Sequence, residues 1–290
     1  MLNEITKKIF PGLLCTCLLC YNIACTSGSG EDEKNAEKMM LEINSLYSNK
    51  QYDKAMRMID SLMKSYPGMI DIQHKALHTQ TLIVEQQAIN DSIDNDVAFA
   101  KAVNEGNLHK ANLKYVKTDN MVEGYYVPKN VADDGLLTKT GILARVSDKG
   151  NLSVVSALFG GNNHTRLTVT ADGFEASTID VPKSNSRNYS FLENGVRVEM
   201  VTFETAECDS LCAFIANHST SKIKLSFVGK RSHTIPLTEN CIKDIVEVYN
   251  LYIAYKSMHT SEVERIKIMR RLQLARKQVK QTATNLQGNK

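Results

Sequence analysis

The residues best suited to catalysis in this sequence are two histidines, two aspartates and a cysteine. They are His164, Asp172, Asp180, Cys208 and His218. A histidine beside a carboxylate can activate a nucleophile as a general base when the fold brings the groups within hydrogen-bond distance. No phosphate-cradling glycine loop, Gly-x-Ser-x-Gly, His-Glu-x-x-His or dinucleotide-binding glycine pattern occurs. Turn-capping roles account for the same residues, so the sequence predicts no catalytic residues and no enzyme.

Two histidines on a predicted helix have a spacing that can hold a metal ion. His74 and His78 lie one helical turn apart, and such a pair chelates a metal when a third ligand is near. Only the distant Glu85 is available as that ligand. The sequence therefore predicts no metal site and, without a cofactor motif, no cofactor.

The thiol of Cys25 is the one side chain whose surroundings predict a chemical modification. Lys7 and Lys8 precede an apolar run over residues 9–24, which is the order of a secretory signal. The run is shorter than the roughly 20 apolar residues that comfortably span a bilayer. A small residue, Ala24, stands directly before Cys25, and a polar segment follows.

These residues resemble a bacterial lipoprotein signal over 1–24, with Cys25 as the lipidated first residue of the mature chain. The acidic cluster Glu31-Asp32-Glu33 resembles the surface-export signal of Bacteroidota-type lipoproteins. The resemblance implies a membrane partner, held through acyl chains such as palmitate on Cys25, and an outer-membrane location facing the periplasm or the surface. Residues 25–34 would then be a flexible tether. An ordinary cleaved signal and an uncleaved anchor are the alternatives.

Three cysteines remain for the folded part of the chain: Cys208, Cys212 and Cys241. An odd number cannot form a fully paired disulfide framework. Cys208 and Cys212 are close enough in sequence to bridge across a tight turn, but Cys212 lies in an apolar run, which favours small buried thiols. The sequence leaves both interpretations open.

Residues 35–119 have the composition and apolar spacing of helices. Two apolar stripes on either side of Asn49-Lys50-Gln51 predict a helical hairpin. Its second half resembles the second helix and terminal proline of a tetratricopeptide repeat, through Tyr52, Ala55, Ile59, Leu62 and Pro67. The pattern does not return one period later, so the resemblance implies one degenerate unit and no solenoid, which needs about three. Apolar residues over 69–115 predict a long helix, or two, with a narrow seam like a coiled-coil arm.

Residues 120–140 are predicted to join two domains, because Pro128 forbids a regular helix there. Tyr125 and Tyr126 are expected to pack in this joint, and a tyrosine-lined lip of a ligand site is the alternative. Both interpretations place the two rings at a boundary between the helical part and the following domain.

Residues 141–236 are predicted to form an antiparallel β-domain, either a sandwich or an open barrel of about eight or nine strands. Apolar residues alternate with polar ones at 196–200 and 222–227, which predicts strands with one buried face and one wet face. In the first of these strands Glu199 is expected on the face opposite to the apolar one. Asp-Gly at 172–173 and Asn-Gly at 194–195 predict hairpin turns, because both residue types tolerate positive φ.

Residues 237–287 are predicted to form a long helix capped by Thr238. Its first half carries an apolar stripe for the sheet, and its basic second half is expected to pair with the acidic and polar arm; phosphate headgroups or an acidic partner are the alternatives. The predicted fold class is therefore α+β: a helical hairpin and arm, an antiparallel β-sandwich or open barrel, and a C-terminal helix packing back on the arm and sheet.

Three functional hypotheses follow. A net charge of +3 is too small to predict a nucleic-acid partner. The first hypothesis is a non-enzymatic envelope lipoprotein that scaffolds or binds another envelope protein, because the whole layout resembles a group of uncharacterised lipoproteins of the Bacteroidota type. The second is a β-domain receptor for a glycan or small ligand, with the turns at 161–164 and 217–221 forming the lip. The possible lip residues are Asn162, Asn163, His164, Tyr125 and Tyr126. The third is a hydrolase, which requires His164 or His218 beside an acidic residue in a cleft.

Overall fold

The structure is a computed structural model that describes residues 30–119, 122–132, 137–161 and 163–288. Its elements are α1 (Gly30–Ser48), α2 (Tyr52–Ser65), α3 (Ile70–Asn112), β1 (Leu113–Val116), β2 (Tyr125–Pro128), β3 (Gly141–Ser147), β4 (Leu152–Phe159), β5 (Arg166–Ala171), β6 (Phe174–Ser177), β7 (Asn188–Glu193), β8 (Val196–Glu204), α4 (Thr205–Asn217), β9 (Lys224–Val228), β10 (His233–Pro236) and α5 (Glu239–Gly288). Cys25 and the predicted signal lie outside the described residues. The fold is α+β, as predicted.

The chain divides into two compact units. The first contains the described residues up to Val84 together with those from Arg276 onward, and the second extends from Glu85 to Ala275. The predicted helical domain over 35–119 is therefore divided, because the later turns of α3 belong to the same unit as the β-sheets.

The first unit contains the predicted helical hairpin, formed by α1 and α2. Ala55, Ile59 and Leu62 of α2 are fully buried against α1 and the first turns of α3. Helix α1 begins at Gly30, so the predicted tether over 25–34 is wrong for its last five residues. The acidic cluster at 31–33 occupies the first turn of α1, where negative charge interacts favourably with the helix dipole.

The second unit is built on two antiparallel sheets with strand orders β1-β2-β3-β4-β8-β7 and β10-β9-β5-β6. Side chains from both sheets, from α4 and from the first half of α5 form one hydrophobic core. Thr238 accepts a hydrogen bond from the Cys241 N–H at 3.2 Å, which confirms it as the cap of α5. The shared core buries the apolar face of each sheet, as the alternation predicts.

Two predicted segments contain additional regular structure. In the predicted joint, Tyr125–Pro128 forms strand β2. Pro128 is the last residue of this strand, a position at which the missing N–H of proline is tolerated. The predicted β-domain contains the helix α4, whose buried residues follow the helical spacing of three and four: Cys208, Leu211, Cys212 and Ile215. The hairpin turns are confirmed, since Asp172-Gly173 and Asn194-Gly195 all have positive φ.

Helices α3 and α5 pair antiparallel in the second unit, where residues 85–112 and 247–275 form what we call the arm. Its polar contacts join Asp91 to Arg271, the Asn95 amide to the Ser261 carbonyl at 3.0 Å, and His109 to Glu247 at 2.8 Å. The helices approach closely at Gly106, where an added Cβ would lie 3.4 Å from the Met258 methyl group. The predicted pairing of the C-terminal helix with the N-terminal arm is thereby confirmed.

Candidate functional site

The histidine that the sequence singles out, His164, lies in a buried polar cluster between β4 and β8. Its Nε2 is 2.8 Å from Ser156 Oγ, and its Nδ1 is 3.1 Å from Glu199 Oε2. None of the three side chains is more than 1% exposed. The partners differ from those expected, since the acid is Glu199 and the hydroxyl belongs to Ser156, which the sequence analysis did not select.

Glu199 is the centre of this cluster. Its carboxylate accepts hydrogen bonds from the backbone N–H of Asn163 at 2.5 Å, from the backbone N–H of His164 at 3.1 Å and from the His164 ring. Burial raises the pKa of Glu199, but these bonds and the nearby Lys183 charge outweigh it, so the pKa lies below its ordinary value. Burial lowers the pKa of His164, and Glu199 opposes that effect only in part. At pH 7 the cluster therefore pairs a carboxylate with a neutral imidazole.

These charge states fix the direction of each hydrogen bond. A carboxylate only accepts, so Nδ1 of His164 donates to Glu199 and Nε2 accepts from the Ser156 hydroxyl. Serine, histidine and carboxylate thus stand in the order used for nucleophilic acyl transfer. Ser156, however, is fully buried in the middle of β4 and is paired with Ile142 and Val201 on the two neighbouring strands. A substrate carbonyl has no path to Oγ in this arrangement, which instead stabilises the junction of the strands.

The turn that carries His164 is shaped by close backbone contacts. An added Cβ at Gly161 would lie 2.7 Å from the Glu199 side chain. At Gly229 it would lie 2.5 Å from the Asn163 carbonyl oxygen. Both distances are shorter than any real Cβ contact, so the cluster requires glycine at both positions.

An open cleft of about 620 Å³ lies on the other side of this turn. Its lining residues are Asn163, Thr165, Arg166, Asp180, Pro182, Lys183, Val228, Gly229 and Lys230. The one acidic residue, Asp180, accepts a hydrogen bond from Thr165 at 2.7 Å and lies 3.6 Å from the Arg166 guanidinium.

Two lysines of this cleft lack a hydrogen-bonded or ion-paired partner among the described residues. Lys183 and Lys230 make no ion pair or hydrogen bond with any other residue that the structure describes. Burial lowers the pKa of Lys183, the Arg197 charge lowers it further, and Glu199 opposes both. The Nε atom of Arg166 is buried without a hydrogen-bond partner among the described residues. The cleft therefore carries excess positive charge.

The predicted ligand lip is only partly assembled. Asn163 lines the cleft, His164 points into the core, and Asn162 lies outside the described residues. Tyr125 and Tyr126 are on β2, which β3 and β4 separate from β8 and Glu199. The Tyr125 ring lies under the Arg145 guanidinium, 4.1 Å away. The two tyrosines and the turn at His164 are thus separate features, and the prediction that they form one lip is wrong.

The remaining catalytic candidates are also separate from His164. The Asp172 carboxylate accepts a hydrogen bond from the Ser221 hydroxyl at 2.5 Å, and the His218 ring stacks on Phe214 at 4.0 Å. Cys208 and Cys212 are buried free thiols on α4. The Cys208 thiol is the largest contribution to the raised pKa of Cys212, followed by burial. Each of these side chains thus has a structural role in the fold.

The two helix histidines do not converge on a metal. His78 Nδ1 lies 2.9 Å from the Thr282 hydroxyl, within the first unit. Over the described part of the chain, no group of three histidine, cysteine, aspartate or glutamate side chains is placed to hold a metal ion. The bonding of His78 to Thr282 is that of a helix-packing residue.

The arm carries the second candidate site, an apolar surface that we call the arm face. Its five residues are Ile93 and Val97 of α3 and Val263, Ile266 and Met269 of α5. Each is between 41% and 65% exposed. Five exposed apolar side chains within about two turns of paired helices are more than isolated surface residues, and they make this part of the arm a candidate interaction site.

The α5 residues of the arm face are separated from the part of α5 that packs on the sheets. Val263, Ile266 and Met269 each follow a core residue by 21 residues, namely Ile242, Ile245 and Val248. Since 21 residues are three heptads, the later three lie on the same side of a helix that keeps a coiled-coil partner. The positions one heptad before them are the exposed Lys256, His259 and Glu262, so the apolar stripe of the first half of α5 ends before the arm face.

The α3 residues of the arm face lie beside those of α5. Asp91 pairs with Arg271 and Asn95 with Ser261, which places Ile93 level with Ile266. Val97 is in the same way level with Val263. Val97 and Val263, however, lie five residues from the buried Ala102 and Ile268, about 140° around their helices, and so face away from the seam between them.

No protein-family model matches the chain, and neither a curated protein nor a solved structure matches it. Among the helices that the structure describes, none is long and apolar enough to cross a membrane.

Proposed function

We propose that this protein is an extracytoplasmic scaffold, anchored to the membrane through a lipid on Cys25, that binds an envelope protein through the arm face and catalyses no reaction. The observation that carries the proposal is the group of five exposed apolar side chains on the two helices of the arm. The buried position of the Ser156 hydroxyl adds support, because the one triad-like cluster is closed to substrates. The anchor rests on the residue pattern around Cys25.

The size of the arm face suits a helical partner. Complete burial of an exposed isoleucine, valine or methionine side chain contributes about 1.5–3 kcal/mol. A helix laid along one side of the arm would bury about three of these half-exposed side chains, which would contribute about 2–5 kcal/mol before the entropic costs of association. Apolar residues spaced three and four apart on that helix would match them.

A comparison of two variants tests this proposal. Ile93→Ser with Ile266→Ser removes the centre of the arm face, and both positions are exposed, so the fold is retained. We expect recovery of the envelope partner with the full-length protein to fall at least about tenfold, because about 1.4 kcal/mol of lost binding corresponds to that factor. Quantitative mass spectrometry after affinity purification from membranes measures the recovery.

The matched control is Leu41→Ser. Leu41 is 70% exposed on α1, in the first unit, and is therefore not part of the arm. Equal recovery of every envelope protein by the wild type, the double variant and the control would contradict binding through the arm face.

A second candidate function is recognition of a small anionic ligand, favoured by the unpaired Lys183 and Lys230 in the cleft beside Asn163. Carboxylate, sulfate and phosphate groups accept the hydrogen bonds that lysine and arginine donate. We expect Lys183→Gln with Lys230→Gln to weaken the binding of glucuronate, sulfate or inorganic phosphate by about tenfold or more. Titration calorimetry of the full-length protein with each of the three probes measures this effect.

Lys224→Gln is the control for the cleft, because Lys224 is exposed on β9 and does not line it. Saturable binding that the control retains and the double variant loses would support a receptor. Absence of saturable binding to the wild-type protein by all three probes would remove this candidate.

A further inference from the structure

We propose that the cleft beside Asn163 binds a small hydroxy acid, such as a sugar acid, through its carboxylate and its hydroxyl groups together. The inference rests on the second candidate function, since it names the class of anion that the cleft takes. The cleft volume of about 620 Å³ lies within the range of about 300–1,000 Å³ that is typical of small-molecule sites. Cationic and anionic side chains share this cleft, and their combination selects the ligand.

Backbone hydrogen bonds hold the walls of the cleft together. The start of β5, the loop after β6 and the residues around the end of β9 meet there. The Thr165 N–H donates to the Val228 carbonyl at 2.9 Å, and the Thr165 carbonyl accepts from the Val181 N–H at 2.8 Å. Because these bonds already join the three segments, the backbone of the site needs no ordering when a ligand binds.

Three cationic side chains line the cleft. Lys183 and Lys230 make no hydrogen bond or ion pair with any other residue that the structure describes. The guanidinium of Arg166 adds a third positive charge, and it lies 3.6 Å from its acidic neighbour Asp180. Ammonium and guanidinium groups donate strong hydrogen bonds to a carboxylate, so the two lysines are suited to hold the acid group of a ligand.

Asp180 gives the same cleft a hydrogen-bond acceptor. Its carboxylate accepts a hydrogen bond from the Thr165 hydroxyl at 2.7 Å, and its side chain is 57% exposed. An ionised carboxylate has about four lone-pair positions, so it can accept further hydrogen bonds from the hydroxyl groups of a ligand. The Asn163 side chain also lines the cleft and adds a neutral polar group.

This combination of charges discriminates between classes of anion. Inorganic phosphate concentrates its charge in one compact group, and the Asp180 carboxylate opposes its binding. A sugar acid separates its two functions, because its carboxylate can lie at the lysines while its hydroxyl groups donate to Asp180. Pro182 and Val228 offer apolar contacts to its ring carbons. The cleft is therefore better matched to a hydroxy acid than to a bare anion.

Titration calorimetry of the full-length protein at pH 7 with glucuronate, glucose and inorganic phosphate tests the ligand class. We expect glucuronate to bind at least about tenfold more tightly than glucose, which lacks the carboxylate, because a charged hydrogen bond is lost. We expect the same minimum of about tenfold over phosphate, which lacks the sugar hydroxyl groups.

The variant Asp180→Asn tests the acceptor separately. It removes the charge that opposes phosphate and weakens the acceptor for sugar hydroxyl groups, so the preference for glucuronate over phosphate should fall at least about threefold. The matched control is Asp172→Asn, because Asp172 is exposed in the turn after β5 and does not line the cleft. Asparagine also tolerates the positive φ of that turn, so the control should keep the wild-type preference.

The outcomes separate this inference from the second candidate function. A preference for glucuronate that Asp180→Asn reduces and Asp172→Asn retains supports a hydroxy acid, and a preference that Asp180→Asn leaves unchanged overturns it. Phosphate binding as tight as that of glucuronate, abolished by Lys183→Gln with Lys230→Gln, overturns the hydroxy acid and leaves anion recognition standing. Absence of saturable binding by both glucuronate and phosphate overturns both.

Discussion

Replacing Glu199 with alanine is expected to lower the free energy of unfolding by about 3–5 kcal/mol. The carboxylate accepts hydrogen bonds from the backbone N–H groups of Asn163 and His164 and from the His164 ring. Each buried donor left without an acceptor costs about 1–3 kcal/mol. Urea denaturation at pH 7 measures the change.

Glu175→Ala is the matched control, because Glu175 is exposed on β6 and its removal should change stability by no more than about 0.5 kcal/mol. A loss below about 1 kcal/mol for Glu199→Ala would show that water or rearranged backbone replaces the carboxylate, since several donors cannot remain unbonded at so low a cost.

The stabilising effect of Glu199 should also depend on pH. Its pKa in the folded protein lies below the ordinary value, so its contribution is complete above the unfolded-state pKa of about 4.3 and is lost as the pH falls below it. The pKa of His164 is also lowered in the folded protein. As the pH falls below about 6.5, the unfolded chain therefore takes up a proton on His164 before the folded chain does, and the stability of the fold decreases. The difference in stability between the wild type and Glu199→Ala should be present at pH 7 and shrink as the pH falls below about 4.3, where Glu199 becomes protonated in the unfolded chain.

The sequence predicted well the turns and the helix cap, which depend only on residues that are neighbours in the chain. The turns at Asp172-Gly173 and Asn194-Gly195 were identifiable because positive φ depends on the residue itself. The Thr238 cap has the same local character, since its hydroxyl reaches only the next turn of α5. Helix α4 was missed although Cys208, Leu211, Cys212 and Ile215 have helical spacing, because short apolar runs are ambiguous between helix and strand.

The candidate site depended on contacts that the sequence does not encode locally. The alternation in β8 predicted that Glu199 lies on a solvent-exposed face. Both faces of β8 are buried at this point, however, since Val201 is buried on the same face as Glu199 and Val198 on the opposite face. Ser156 gave no signal because a serine in a buried strand is ordinary. The strand order that separates Tyr125 from His164 could not be predicted either, because the pairing of distant strands does not depend on the residues of any one segment.

Replacing Cys25 with alanine is expected to move the protein from the membrane fraction to the soluble periplasmic fraction almost completely. If Cys25 carries acyl chains, each buried methylene contributes about 0.8 kcal/mol, and two or more chains make the attachment stable. The apolar run over residues 9–24 is too short to replace them comfortably as a span of about 20 residues. Fractionation followed by immunoblotting measures the shift, and mass spectrometry of the mature N-terminus identifies the acyl group directly.

Cys20→Ala is the control for this experiment, because Cys20 belongs to the same apolar run but does not follow the small residue Ala24. The Cys20→Ala variant should remain in the membrane fraction with its lipid intact. Retention of Cys25→Ala in the membrane, or a mature chain that begins elsewhere without an acyl group, would contradict the anchor. In that event the arm face would still predict an interaction surface, because its argument depends on the exposure of Ile93 and Ile266 and not on the location of the protein.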